Sequence, residues 1–413
     1  MYEGRIIKFY REKYGMTQEQ LGLGICSTTH ISKIERGLTE YSPEITSLLA
    51  KRLHIHMEQE LDKLKNIKEK LDLWHEMIIA LNMEAASKIY SELANNELIE
   101  ISNYHALYQL LTLKYHIRQG NSADIKRELS VIAKEYERLP PFEQNLYKHV
   151  VGIYELFMNN YAKSIQVLKS IHFDDYSNAL VYYDLATAYH CNNLPILAYY
   201  YAEKALLLYK QKNNFLGIID TENLMIIQLE SGQHRDFKET AEHFEELIKI
   251  CDLCHAPDKK AKLLHNFAYE CLRREKYKMA LDLYNESMQL KEKYTGIYLL
   301  SLEGYIRAGL EGNLLSREAL LENVHEGLEI AGVTKDRLYS FILHLHKYSL
   351  MGREKRYYQY LTEKALPFFK KQGYILIAEK YEKELFSYYI RTGEKDKALQ
   401  IAEAVIGGQT PCE

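Results

Sequence analysis

From about Asn66 to Gly407 apolar residues recur at helical spacing, with no stretch of the two-residue alternation that marks a strand. Short polar breaks interrupt the pattern at Gly120-Asn121, Pro140-Pro141, Asn159-Asn160, Asn192-Asn193, Asn213-Asn214, Ser231-Gly232, Pro257, Gly312-Asn313, Gly352 and Gly393. Helices broken at this interval predict a solenoid of helical hairpins. Small residues set the register: Gly152 and Ala186 lie 34 residues apart, the tetratricopeptide period. The clearest unit is Tyr182-x-x-Leu185-Ala186-x-x-Tyr189 followed by Ala198, Ala202 and Ala205. Leu264, Phe267 and Ala268 with Ala280 and Tyr284 make a second, and Leu385 and Tyr389 with Ala398 and Ala402 a third. About nine hairpins fit, with weaker ones near Trp74 and Gly304.

Residues 1–56 follow a different plan, a bundle of short helices. Glu3–Lys13 carries Ile6, Ile7 and Tyr10 on one side. A capped start at Thr17 leads to Leu21, and a second at Ser27 leads to Ile31 and Ile34, all inward. Ser42-Pro43 opens a fourth helix through Ile45, Leu48, Leu49 and Leu53. Met57–Lys70, rich in Glu and Lys, reads as a linker helix. The chain is therefore expected to be all-α. A helix-turn-helix domain spans 1–56, a linker helix 57–70, and a right-handed tetratricopeptide solenoid 71–413.

In a helix-turn-helix the second helix enters the major groove with its first residues at the base edges. Ser27 caps that helix here. Thr28, Thr29 and Lys33 are expected in the groove, with His30 and Ser32 at its edges. Gln18 and Arg36 are candidates for phosphate contacts. The partner is double-stranded DNA.

Charge narrows this. The chain carries a formal −4, while residues 1–56 hold eight Lys/Arg against six Asp/Glu, a net +2. DNA contact belongs to the N-terminal domain, and a single copy should bind weakly. Only 7 Pro and 20 Gly among 413 residues permit long helices, and 35 Tyr suit half-buried binding surfaces. With no signal-peptide pattern and no run of 18 apolar residues, the chain reads as cytoplasmic and without a membrane partner. Six Cys without a tight framework read as reduced thiols. Cys251-x-x-Cys254-His255 spells a haem-attachment motif, but it continues a helix and is read as chance. His344 and His346 fall on different sides of a helix. No phosphate loop, nucleophile elbow or HExxH is present, so neither an enzyme nor a cofactor or metal is expected.

MTQEQL at 16–21 and ISKIERG at 31–37 resemble the Xre/Cro class, with helix two and the turn one residue shorter than its commonest form. The Ile25-Cys26 pair looks like the variant in peptide-sensing regulators. Joined to a tetratricopeptide array of this length, the whole chain resembles the RRNPP family of peptide receptors. The resemblance implies a cytoplasmic receptor for a short secreted and re-imported signalling peptide. It also implies dimerisation through the repeats, as a homodimer or a higher oligomer. In the repeat frame Asp184, Asn223 and Asn266 fall at matching positions of successive first helices, where the family clamps its peptide. Tyr154, Tyr182 and Tyr189 would line the same surface, and Arg118 would pair with an acidic group of the peptide. Some family members sequester response regulators, a second partner class for the array, here in a sporulation phosphorelay. The family's phosphatases carry a three-helix bundle where this chain has its helix-turn-helix.

Overall fold

The computed structural model describes residues 2–38, 42–121, 124–176, 178–229 and 236–407, and it forms two compact units, 1–232 and 233–413. Every element among the described residues is helical.

The first unit opens with α1 (Glu3–Lys13), α2 (Gln18–Gly22), α3 (Thr28–Glu35) and α4 (Pro43–Arg52). Ile7, Leu21, Ile31, Ile34, Leu49 and Leu53 are all fully buried between them. Thr17 starts α2 with a reciprocal capping box to Gln20. Gly4 lets α1 lie directly on α3, since a Cβ there would stand 2.1 Å from the Ile34 carbonyl oxygen. The array follows with α5 (Met57–Ile79), α6 (Met83–Ala94), α7 (His105–Arg118), α8 (Ile125–Ile132), α9 (Pro141–Phe157), α10 (Tyr161–Lys169), α11 (Ala179–Cys191), α12 (Pro195–Gln211) and α13 (Phe215–Leu229). The segment 57–70 does not end at Lys70; it is the first half of α5, which runs on through the buried Trp74 to Ile79.

The second unit holds α14 (Phe237–Leu253), α15 (Pro257–Arg273), α16 (Tyr277–Gln289), α17 (Gly296–Glu311), α18 (Arg317–Thr334), α19 (Arg337–Leu350), α20 (Glu354–Tyr360), α21 (Leu366–Lys371), α22 (Ile375–Thr392) and α23 (Lys395–Gly407). A π-helical turn at Leu361–Ala365 joins α20 to α21, just before Pro367, which has no N–H for the helical ladder. In chain order α5 to α12 make four successive pairs in the first unit, with α13 after them, and α15 to α23 make four in the second after α14, α20 and α21 counting as one member.

The breaks end helices by a shared device. Gly120, Asn159, Asn193, Asn213, Asn313, Gly352 and Gly393 all take the left-handed backbone conformation, which Gly and Asn adopt most readily. Pro141 and Pro257 begin helices, where a missing N–H costs nothing. Ser231-Gly232 lies outside the described residues. Small residues make the hairpins close-packed: a Cβ on Gly152 would meet the Leu168 side chain at 2.4 Å, and Ala186, Ala198, Ala202, Ala205, Ala268 and Ala280 are fully buried.

Candidate functional site

The recognition helix α3 starts at Ser27, whose hydroxyl oxygen accepts the His30 N–H at 3.3 Å. Its first turn presents Thr28 and Thr29 to solvent, and Lys33 and Arg36 are exposed one and two turns on. Ser32 is half-buried, and its carbonyl accepts from Arg36 Nε at 3.2 Å. Gln18 is committed inward: its amide donates to Glu35 Oε2 at 2.8 Å. The same buried carboxylate takes Arg11 through Nε at 2.5 Å and Nη2 at 3.1 Å. This two-point pair locks α1 to α3 beneath the exposed face of Thr28, Thr29 and Lys33. Arg52 fixes the α2 C-terminus, donating to the carbonyls of Leu21 at 2.8 Å and Leu23 at 2.5 Å.

The head is seated on the array. Ile6 is buried in the same apolar cluster as Leu64, Ile67, Leu71 and Trp74. Around it, the Tyr10 hydroxyl donates to Glu60 Oε2 at 2.8 Å, Arg5 donates to Asn103 Oδ1 at 2.6 Å, and Lys13 pairs with Glu97. Burial and the Glu60 contact push the Tyr10 phenol above its ordinary pKa. The exposed pairs contribute little; the apolar seat around Ile6 is the main term.

The proposed ligand residues of the first unit lie on the alternate helices α7, α9, α11 and α13. Arg118 and Asp184 are brought together: Arg118 Nη2 donates to Asp184 Oδ2. The Asp184 side chain is 1% exposed and that of Arg118 18%. His149 Nε2 donates to the same oxygen at 2.8 Å. Behind it sits Lys114, fully buried, with Nζ 3.2 Å from His149 Nδ1, 3.4 Å from His75 Nε2 and 3.3 Å from the Tyr176 hydroxyl. A carboxylate can only accept, so the neutral His149 carries its proton at Nε2, toward Asp184, and accepts at Nδ1.

These contacts shift every ionisable member. Burial, helped by Arg118, pushes Lys114 down to about 7, while Asp184 opposes the fall. Burial and Lys114 push His149 down to about 3, and burial takes His75 well below its usual value. Burial alone would raise the Asp184 carboxyl, but Arg118 and His149 outweigh it and hold it low. Burial raises the Tyr176 phenol. Lys114, His149, His75 and Tyr176 were not expected from sequence. The available signal was a lysine inside the apolar run Leu110–Tyr115 and a histidine beside Val150-Val151.

Asn223 is 2% exposed on α13. Tyr154 and Tyr182 are half-buried, and Tyr182 stacks on Phe173 with centroids 4.7 Å apart. Tyr189 is nearly closed off against Tyr201, at 5.3 Å. Asn266 is half-buried on α15 of the second unit, beside His265, whose Nδ1 lies 2.9 Å from the Ser301 hydroxyl. Cys251 is buried in α14, with Cys254 and His255 in the turn after it. His344 and His346 take different partners, the Ser340 carbonyl at 2.7 Å and Glu303 at 3.1 Å. The described residues hold no cluster that could bind a metal ion, and none of their helices is long and apolar enough to cross a membrane.

A helix-turn-helix head followed by tetratricopeptide-like helices is the layout of the RRNPP regulators, which the chain resembles. Residues 7–59 match the helix-turn-helix family model. The chain is 22% identical over 389 residues to the transcriptional activator NprA of Geobacillus stearothermophilus, covering 89% of this chain and 93% of that protein. Its fold is similar to that of the quorum sensor NprR from B. thuringiensis in its apo form (TM-score 0.66, 21% identity, 83% of this chain and 98% of that one). NprR in complex with its cognate peptide NprX matches equally well, at a TM-score of 0.65 and 20% identity over 84% of this chain and all of that one. A Rap protein complexed with Competence and Sporulation Factor matches at a TM-score of 0.69 and 14% identity, over 83% of this chain and 97% of that one.

Proposed function

We propose that the chain is a cytoplasmic, peptide-gated quorum-sensing transcription regulator that acts as a dimer. Residues 1–56 read an operator, with Thr28, Thr29 and Lys33 at base edges and Arg36 on phosphate. Gln18 supports the reading helix through Glu35 and reaches phosphate only by leaving it. Residues 71–413 bind a short signalling peptide and bring two copies together. In the first unit Arg118 meets an acidic group of the peptide, Asn223 clamps its backbone, Asp184 orients Arg118, and Tyr154, Tyr182 and Tyr189 shape pockets; in the second unit Asn266 is the candidate backbone clamp. Gating requires the peptide to favour one arrangement of the two heads, by about 1–3 kcal/mol for typical coupling.

The observation that carries this reading is the exposed Thr28–Thr29–Lys33 face of a head packed onto an array similar to that of NprR, a protein solved with its own peptide. The test has two arms. Selection from a random double-stranded DNA library with the full chain should enrich one inverted repeat, and Lys33→Ala with Thr29→Ala should abolish the enrichment. A thermal-shift screen of synthetic five- to ten-residue peptides should find one that raises the melting temperature in the parent and not in Asn223→Ala. No enrichment sinks the DNA reading; no stabilising peptide sinks the gating.

The Rap likeness favours a second reading, in which the array captures a response regulator of a sporulation phosphorelay under peptide control. Capture that persists in the Lys33 and Thr29 variants would separate the two roles.

A further inference from the structure

Six side chains of the first unit form one buried polar chain across four helices. Arg118 is its most exposed member. Asp184 Oδ2 joins Arg118 to His149, His149 Nδ1 joins Lys114, and Lys114 reaches His75 on α5. Tyr176 closes the ring, 3.1 Å from His149 Nδ1 and 3.3 Å from His75 Nε2. The outer pair is held at one point only, because Arg118 Nε and Asp184 Oδ1 have no hydrogen-bond partner. A guanidinium and a carboxylate can make two. This leaves the pair free to re-form differently, while everything behind it is tied.

The inner end leads to the head. His75 shares α5 with Glu60, about 22 Å away at the helical rise of ~1.5 Å per residue. Glu60 receives the Tyr10 hydroxyl, and Leu64 and Ile67, one and two turns on, share the cluster that buries Ile6.

We propose that Lys114 and His149 are positioning residues that hold the Arg118–Asp184 pair and transmit its state to α5, and so to the seat of the DNA-binding head. The biological meaning of this link rests on Arg118 as a ligand contact; the link itself can be read without ligand.

Charge explains how the state could travel. Arg118 depresses Lys114 and Asp184 raises it. When an acidic group draws Arg118 away, Asp184 is left to hold Lys114 as an ammonium, which must donate to His75, His149 and Tyr176 at once. With Arg118 in place, Lys114 sits near half-protonation at neutral pH. Other groups bear on this centre: Lys68 and Lys212 act on His75, Tyr183 and Tyr209 face Arg118, and Asn178 touches Tyr176. Asp184 is the one carboxylate among the influences on Lys114 and His149.

Hydrogen exchange with mass spectrometry on the full chain tests the link. Parent, Arg118→Gln, Lys114→Met and the double variant are compared without peptide. Arg118→Gln should change exchange in 57–79 and 3–13, which it does not touch, as well as in 105–118 and 179–191. In the Lys114→Met background the change in 57–79 should shrink at least threefold. Changes confined to α7 and α11, or equal changes with and without Lys114, overturn the proposal. If Lys114→Met fails to fold, His149→Gln replaces it with the same two outcomes. A failed peptide screen would remove the ligand reading and leave this result standing.

Discussion

Lys114 gives the first unit a pH signature that one substitution should erase. Its amine falls from an ordinary 10.5 to about 7. The unfolded chain therefore binds more protons than the native state between those values, and stability rises with pH across that window. The full span corresponds to ~5 kcal/mol. The useful part is narrower. Below pH 6.5, His149, depressed to about 3, adds its own loss of stability on acidification. Near pH 9 and above, Cys26, Cys191 and Tyr176, all raised by burial, pull stability down again. Between pH 7 and 8.5 Lys114 dominates, and the gain is about 1.5–2 kcal/mol. The assay is built into the chain, whose single tryptophan, Trp74, is fully buried in α5. Urea unfolding followed by its fluorescence reports the first unit alone. The parent's transition should move to higher urea as pH rises from 7 to 8.5. Lys114→Met, of similar volume and without charge, should be at least as stable at pH 7 and show no such rise. Equal slopes in parent and variant would refute the buried, depressed Lys114.

Gly4→Ala places a methyl on the Ile34 carbonyl and forces α1 off α3; the head should lose ~2 kcal/mol or more and DNA binding should fail, while Trp74 fluorescence still reports folded array helices in the first unit. Glu35→Ala leaves Arg11 only Glu12 and the Met16 carbonyl and frees Gln18; for a buried two-point pair the loss should be ~3 kcal/mol, read as early exchange of the α1 and α3 amides. The recognition helix carries two exposed cations, Lys33 and Arg36, so the slope of log affinity against log salt should be on the order of −2 per head, measured by operator titration. A slope several times steeper would mean that other cations meet phosphate.

Much of the fold was legible because its signals are local. Thr17, Ser27 and Ser42 announce helix starts through their own side chains, and Gly120, Asn159 and Asn193 end helices by backbone conformation. Such signals need no knowledge of distant partners. The site was legible as positions and not as contacts. Arg118 and Asp184 could be placed along the chain, yet pattern alone could not show that they face each other. A lone Lys or His on an apolar helix face looks alike whether it snorkels to water or meets two others inside. Lys114 and His149 declare themselves only once α5, α7, α9 and α11 are assembled.

The same limit explains the seat of the head. Ile6, Ile7 and Tyr10 share one side of α1 in sequence, and a period tells which side is apolar but not what covers it. In the structure Ile7 turns to the head core and Ile6 to α5, while Tyr10 packs on both and gives its hydroxyl to Glu60. Arg5, Arg11 and Lys13 are spent on Asn103, Glu35 and Glu97. With Arg52, which holds the Leu21 and Leu23 carbonyls, four of the head's eight cations thus hold it together or hold it to the array. A head with a net +2 and so few free cations cannot rely on phosphate attraction for tight binding. Its affinity must come from two heads held at the spacing of two half-sites. That makes the α1–α5 contact, rather than the recognition helix, the place where an effector gains most leverage over DNA binding.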